Sequence, residues 1–156
     1  MTGHVNVLAS ETPVLTVDLR RLDQLHHVDD VSNLAVFGPG AAGRKIEASL
    51  RAHGYTLGHF PQSFEYSTLG GWIATRSKGQ QSLLYGGIER LFPGGTVQTP
   101  SGTLEWPALV ASSAGPDLRE VVLGSEGRLG ITTSATGADH ARPRVRALQG
   151  VLLREL

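Results

Sequence analysis

Apolar residues alternate with polar ones, or cluster with β-branched ones, in several short stretches, and each predicts a strand. Val14-Leu15-Thr16-Val17-Asp18-Leu19 is the first, ending at Arg20-Arg21. Leu25–Val28 and Asn33–Phe37 flank Asp29-Asp30-Val31-Ser32, whose side chains can bond nearby backbone, so the pair reads as a hairpin. Between 42 and 53 the period changes. Ile46 and Leu50, with Ala42 and Ala52, fall at helical spacing, Glu47 and Arg51 stand four apart, and Gly54 suits the residue after a helix. Tyr55–His59 reads as a short extended piece. A second helix is predicted over 67–76, capped by Ser67 or Thr68 and carrying Gly70 and Gly71 in its first turn. Two strands, Ile88–Thr99 and Thr103–Trp106, bracket the turn Pro100-Ser101-Gly102. Pro116 then stands where a helix would start, Leu118, Val121 and Val122 share a face, and Gly124 ends it. Arg128–Ala135 returns to strand-like residues, and periodicity resumes only at Leu148–Leu153. The order of elements predicts an α+β fold with helices on a mostly antiparallel sheet.

Composition narrows what such a fold can do. The 156 residues suit one domain, and 40% hydrophobic with 18% charged residues is a globular composition. Fourteen basic and fourteen acidic residues cancel, so no bulk field draws nucleic acid. Without cysteine there is no disulfide, thiolate nucleophile or thiolate metal site. No apolar run reaches a membrane span of ~18 residues and no leader pattern opens the chain, so a cytoplasmic protein is expected.

Three glycine-rich stretches and one polar cluster are candidates for chemistry. Gly38-Pro39-Gly40-Ala41-Ala42-Gly43 has the dinucleotide-loop spacing, but position 58, where an acid should follow, is Gly, and the preceding strand belongs to a hairpin. A magnesium-binding phosphate loop fails as well, since Arg44 and Lys45 stand where Lys and Ser or Thr are needed. A plain turn is the better reading. Ser67-Thr68-Leu69-Gly70-Gly71 could present helix N-terminal amides to a phosphate, or could serve close helix packing. Gly124-Ser125-Glu126-Gly127-Arg128-Leu129-Gly130 could turn backbone amides toward a ligand, or be a tight turn. His26, His27, Asp29 and Asp30 read as a solvated edge, because adjacent strand residues point to opposite faces.

The run Gly58–Ser77, with Gly79, Tyr85-Gly86 and Ile88-Glu89, resembles the flavin domain of alkyldihydroxyacetonephosphate synthases and bacterial FAD-linked oxidases, members of the vanillyl-alcohol oxidase superfamily. Ala114–Arg119 and Gly124–Ile131 extend the resemblance, which spans roughly 14–133. It implies an FAD-binding domain of the PCMH type, mainly its second α+β lobe. FAD contacts are implied at Gln62, Ser63, Phe64, Glu65, Tyr66, Ser67, Thr68, Gly70 and Gly71. They are also implied at Thr75, Arg76, Ser77 and Lys78, and at Glu126, Gly127, Arg128, Leu129, Gly130, Ile131 and Thr132. Residues 1–136 are expected to form a partial FAD-binding domain lacking the upstream lobe and its glycine-rich pyrophosphate loop, and 137–156 a tail. The family's catalytic groups lie in a cap domain that nothing here resembles, so no catalytic residue is assigned. The implied activity is that of the synthase or of a 2-hydroxyacid oxidase. The alternative is a non-catalytic remnant or split-gene partner that holds no FAD alone and associates with itself or a complementary polypeptide.

Overall fold

In the computed structural model, residues 13, 15–109 and 112–141 are described. The expected hairpin forms from β1 (Leu25–Asp29) and β2 (Leu34–Phe37). Its turn is held by Asp29, whose Oδ1 accepts the Val31 and Ser32 amides at 2.9 and 3.1 Å. The predicted helix at 42–53 is α1 (Gly43–Ala52), followed by β3 (Tyr55–Thr56). Next come α2 (Leu69–Thr75) and two single-turn helices, α3 (Ser82–Tyr85) and α4 (Ile88–Leu91). β4 (Gly94–Thr99) and β5 (Gly102–Trp106) make the second hairpin, and α5 (Arg119–Val122), β6 (Ile131–Ala138) and β7 (His140–Ala141) complete the order.

Five strands form one sheet in the order β1-β2-β6-β4-β5, every neighbour antiparallel, and β3 pairs separately with β7. β6 is therefore the centre of the sheet although it comes late in the chain. It joins the two hairpins, with Ala135 opposite Phe37 on one side and Gly95 on the other. The α+β, mainly antiparallel architecture is the one the sequence implies.

Period-2 burial in β2 turns Ala35 and Phe37 inward, where they meet Val97 and Ala135. Ile46 and Leu50 of α1, Leu69, Trp72 and Ile73 of α2, and Ile88 and Leu91 of α4 close over them. Full burial of each such side chain contributes about 1.5–3 kcal/mol, so this cluster holds the helices on the sheet.

Several expectations are corrected. Residues 15–19 form no strand, and Val14 lies outside the described residues. Leu15 is exposed and the segment finds no sheet partner; instead residues 19–22 lie against the Gly38–Gly40 loop, with the Gly40 amide donating to the Leu22 carbonyl at 2.8 Å. Ile88–Leu91 is helical because Ile88 and Leu91, three apart, both reach the core. α5 starts three residues after Pro116, and of the predicted shared face only Val122 is buried, Leu118 and Val121 being exposed. Glu47 makes no ion pair with Arg51. It is buried, and its carboxylate accepts the Thr56 hydroxyl at 2.8 Å and the Leu57 and Gly58 amides at 3.1 and 3.2 Å. A buried carboxylate needs such partners, and these tie α1 to β3. β6 also runs through residue 136, so 137–141 belong to the fold. The periodic stretch at Leu148–Leu153 lies outside the described residues.

Candidate functional site

A cleft of about 550 Å³ opens on the flank of α2. One wall is α2 itself, through Thr68, Gly70, Gly71 and Ala74; the opposite wall is Gly127, Gly130, Ile131 and Thr132. Residues 16–20 and Gly40 close the remaining side. The volume lies within the ~300–1,000 Å³ range of small-molecule sites.

Helix α2 is short, so its termini decide its placement. Thr68 is the N-cap, in extended conformation, with Oγ1 accepting the Gly71 amide at 3.4 Å. The Leu69 amide donates to the Ala41 carbonyl at 2.9 Å and the Gly70 amide to the Pro39 carbonyl at 2.8 Å. The amides expected to cradle a phosphate are thus taken by the 39–41 loop. A Cβ on Gly70 would come within 2.8 Å of Pro39 Cβ, so close packing is what this glycine serves. Gly71 differs. A Cβ there would meet only Thr68 Oγ1, at 3.4 Å, which leaves its face open to the cleft.

The carbonyl end of α2 is capped by the other glycine-rich loop. The Gly124 amide donates to the Ile73 carbonyl at 3.0 Å and the Glu126 amide to the Ala74 carbonyl at 2.8 Å, supplying donors that a helix C-terminus lacks. Arg76, left-handed at φ +50°, adds an ion pair with Glu120 of α5 at 2.6 Å. These contacts set residues 127–132 against α2. Gly130 is pressed to β4: a Cβ there would overlap the Gln98 carbonyl oxygen. Nothing lies within 4 Å of a Cβ built on Gly127, so this position, like Gly71, is bare toward the cleft.

Seven of the sequence-derived candidates therefore share the cleft: Thr68, Gly70, Gly71, Gly127, Gly130, Ile131 and Thr132. The others do not line it. Ser63 to Ser67 form a tight turn in which the Ser63 carbonyl accepts the Tyr66 and Ser67 amides, each at 2.9 Å. Phe64 packs toward Phe60 and Trp72, and Glu65 pairs with Arg44. Gln62 and Tyr66 are exposed. Thr75 donates back to the Gly71 carbonyl at 2.8 Å, Ser77 contacts His59, and Lys78 pairs with Glu89. Glu126, Arg128 and Leu129 are exposed on the outer side of their loop.

Residues 16–20 and Gly40 were not legible as cleft residues. Asp18 and Arg20 form a bidentate pair there, Nε to Oδ1 at 3.0 Å and Nη2 to Oδ2 at 2.6 Å, and the guanidinium holds the Asp18 carboxyl down at about 2. The glycine spacing at 38–40 is the one available signal. Its physical basis is close backbone passage, since a Cβ on Gly38 or Gly40 would overlap the Leu22 or Leu19 carbonyl oxygen. Arg44 and Lys45, the basic residues of that stretch, pair with Glu65 and Asp23. His26 and His27 are exposed, and among the described residues no group of metal ligands occurs. Nor, among them, is any helix long and apolar enough to cross a membrane.

A family described as an FAD binding domain matches residues 2–106. The chain belongs to this FAD-binding domain family. Among its relatives, alkyldihydroxyacetonephosphate synthase from Trypanosoma brucei brucei is 39% identical over 97% of the chain, and the same enzyme from Dictyostelium discoideum 40% over 97%. An FAD-linked oxidoreductase of Escherichia coli is 37% identical over 78%. A solved alkyldihydroxyacetonephosphate synthase superposes with a TM-score of 0.78 and 43% identity over 82% of the chain. The chain spans about a quarter of the length of these relatives, 25% in each of the three sequences and 23% in the solved structure. FAD is accordingly the cofactor of this domain. The cleft suits such a group, because side chains at Gly71 and Gly127 would fill space that the backbone leaves clear.

Proposed function

We propose that the chain is the FAD-binding part of an alkyldihydroxyacetonephosphate-synthase-like or FAD-linked oxidase flavoenzyme, and that the cofactor lies in the cleft between α2 and residues 127–132. The supporting observation is that two glycine-rich segments far apart in sequence converge on one cleft with their bare faces toward it. Thr68 and Thr132 supply hydroxyls at its walls, and Gly71 and Gly127 admit the cofactor to the backbone. When bound, FAD supplies the electron-accepting isoalloxazine ring on which both classes of relative depend. This chain's residues bind and orient it.

A second reading is a portion that needs further polypeptide before it retains flavin, whether another copy or a complementary chain. The exposed Leu83 and Leu84, adjacent in α3, favour it, since contiguous apolar side chains at a surface mark contacts. Titration with FAD, followed by flavin fluorescence, separates the two readings. Gly71→Val should weaken binding at least tenfold, about 1.4 kcal/mol, with an unchanged urea midpoint. Equal affinity in parent and variant would refute the cleft assignment, and a folded parent that takes up no flavin would favour the second reading.

A further inference from the structure

Behind the cleft, on the core side of α2, lies a polar chain that the cofactor reading does not use. His59 is 1% exposed, and its Nε2 lies 2.8 Å from Ser77 Oγ. Its ring meets Trp72 edge to face, centroids 4.8 Å apart at 66°. Trp72 Nε1 donates to Ser67 Oγ at 2.7 Å, and the Ser67 hydroxyl donates to the Ser63 carbonyl at 2.8 Å. Ser77 thus reaches Ser63 through one imidazole, one indole and one hydroxyl. The two ends of this chain lie in the segments at either end of α2, residues 62–68 and 75–78.

Each link is costly to lose. The indole N–H and the imidazole nitrogen are polar atoms in a buried setting, where an unmade hydrogen bond exacts its full desolvation penalty. The groups at Ser77 are engaged on every side: its amide donates to the Trp72 carbonyl at 2.9 Å and its carbonyl accepts the Ile88 amide at 3.2 Å. The charged groups facing His59 are Lys78 and Glu89, which pair with each other. Burial holds the imidazole neutral, down to about 4, so at ordinary pH it works as a hydrogen-bonding and packing group.

We infer that His59, with Trp72, is a positioning residue that clasps the two loops flanking α2 into one unit, so that a change at either loop is felt at the other. The consequence for flavin rests on the cofactor reading above. The clasp itself is independent of it. Its role is to hold the α2 N-cap turn and the α2 C-terminal loop in register, so that the cleft wall between them is rigid before a ligand arrives.

Amide hydrogen exchange on the full chain tests the inference without flavin. Ser77→Ala removes one link at a half-buried position, and Trp72→Phe removes the indole donor while keeping an aromatic ring. Ser77→Ala should speed exchange at least threefold in 62–68 as well as in 75–78, and Trp72→Phe should do the same at 75–78. The double variant should add little to either single change, because both cut one chain. His59→Gln, which can still bond Ser77 but brings no ring to Trp72, should exchange at 62–68 as fast as His59→Ala. Faster exchange confined to the mutated loop, fully additive effects, or protection of 62–68 restored by His59→Gln would overturn the clasp. FAD titrations of the same proteins keep the two claims apart. Coupled exchange in a parent that takes up no flavin would refute the cofactor reading alone, and uncoupled exchange in a parent that binds flavin would refute the clasp alone.

Discussion

Asp139 lies at the turn from β6 to β7, 5% exposed, and neither carboxylate oxygen has a partner among the described residues. Burial first, then the nearby Glu47 carboxylate, pushes its carboxyl from 3.8 up to about 7. Each pH unit of displacement is worth 1.36 kcal/mol, so the ionised side chain costs the fold about 4 kcal/mol at alkaline pH. The folded value stands above the unfolded one, so between about 4 and 7 the folded protein holds more protons. This contribution to stability is therefore full below 3.8 and lost as pH rises through 7. Asp139→Asn keeps the shape and removes the titration. Urea unfolding of parent and variant, followed by tryptophan fluorescence at several pH values, measures the difference. It should favour the variant increasingly from pH 4 to pH 8, with a total change of about 4 kcal/mol. His59, pushed down to about 4 by burial, adds stability that is present above 6.5 and lost as pH falls toward 4, an opposite trend common to both proteins that cancels in the comparison. Any fixed cost of burying the amide shifts the whole curve and leaves its slope intact. A parent-to-variant difference that is flat between pH 4 and 8 would show that Asp139 does not carry a buried charge and would refute the reasoning.

Gly70→Ala should lower stability by about 1–3 kcal/mol through the contact of the new methyl with Pro39, despite the ~1 kcal/mol that alanine gains over glycine within a helix; a denaturant midpoint at or above the parent's would contradict it. Gly130→Ala should cost ~2 kcal/mol or more, because its Cβ overlaps the Gln98 carbonyl oxygen at a φ of +159°, and thermal melting checks this. Since Gly130 also lines the cleft, flavin release should begin at a lower temperature in that variant than in the parent.

Much of the chain was readable from local pattern because the forces that set it act over a few residues. The Asp29 side chain folds back on its own turn, Ile46 and Leu50 recur at helical spacing, and Thr68 caps the helix it precedes. The β4–β5 hairpin follows likewise from strand residues around Pro100-Ser101-Gly102. The same locality explains the misreadings. Residues 15–19 have a strand's composition yet find no sheet partner, and Glu47 has a surface residue's spacing yet is turned inward to Thr56 and two amides. Such outcomes depend on which distant backbone arrives alongside. For the candidate site, the glycine-rich segments at 67–71 and 124–130 stood out in the sequence, but not which glycine packs and which opens to a cleft. By itself the sequence determined the two hairpins, the helices α1 and α2, and the family to which the chain belongs. Only the tertiary structure decided that β6 is the central strand, that the second loop caps the carbonyl end of α2, and that residues 16–20 complete the cleft. The reason is that strand pairing and the backbone capping of a helix's carbonyl end satisfy donors and acceptors that every residue but proline carries, so these partners are chosen by the assembled fold.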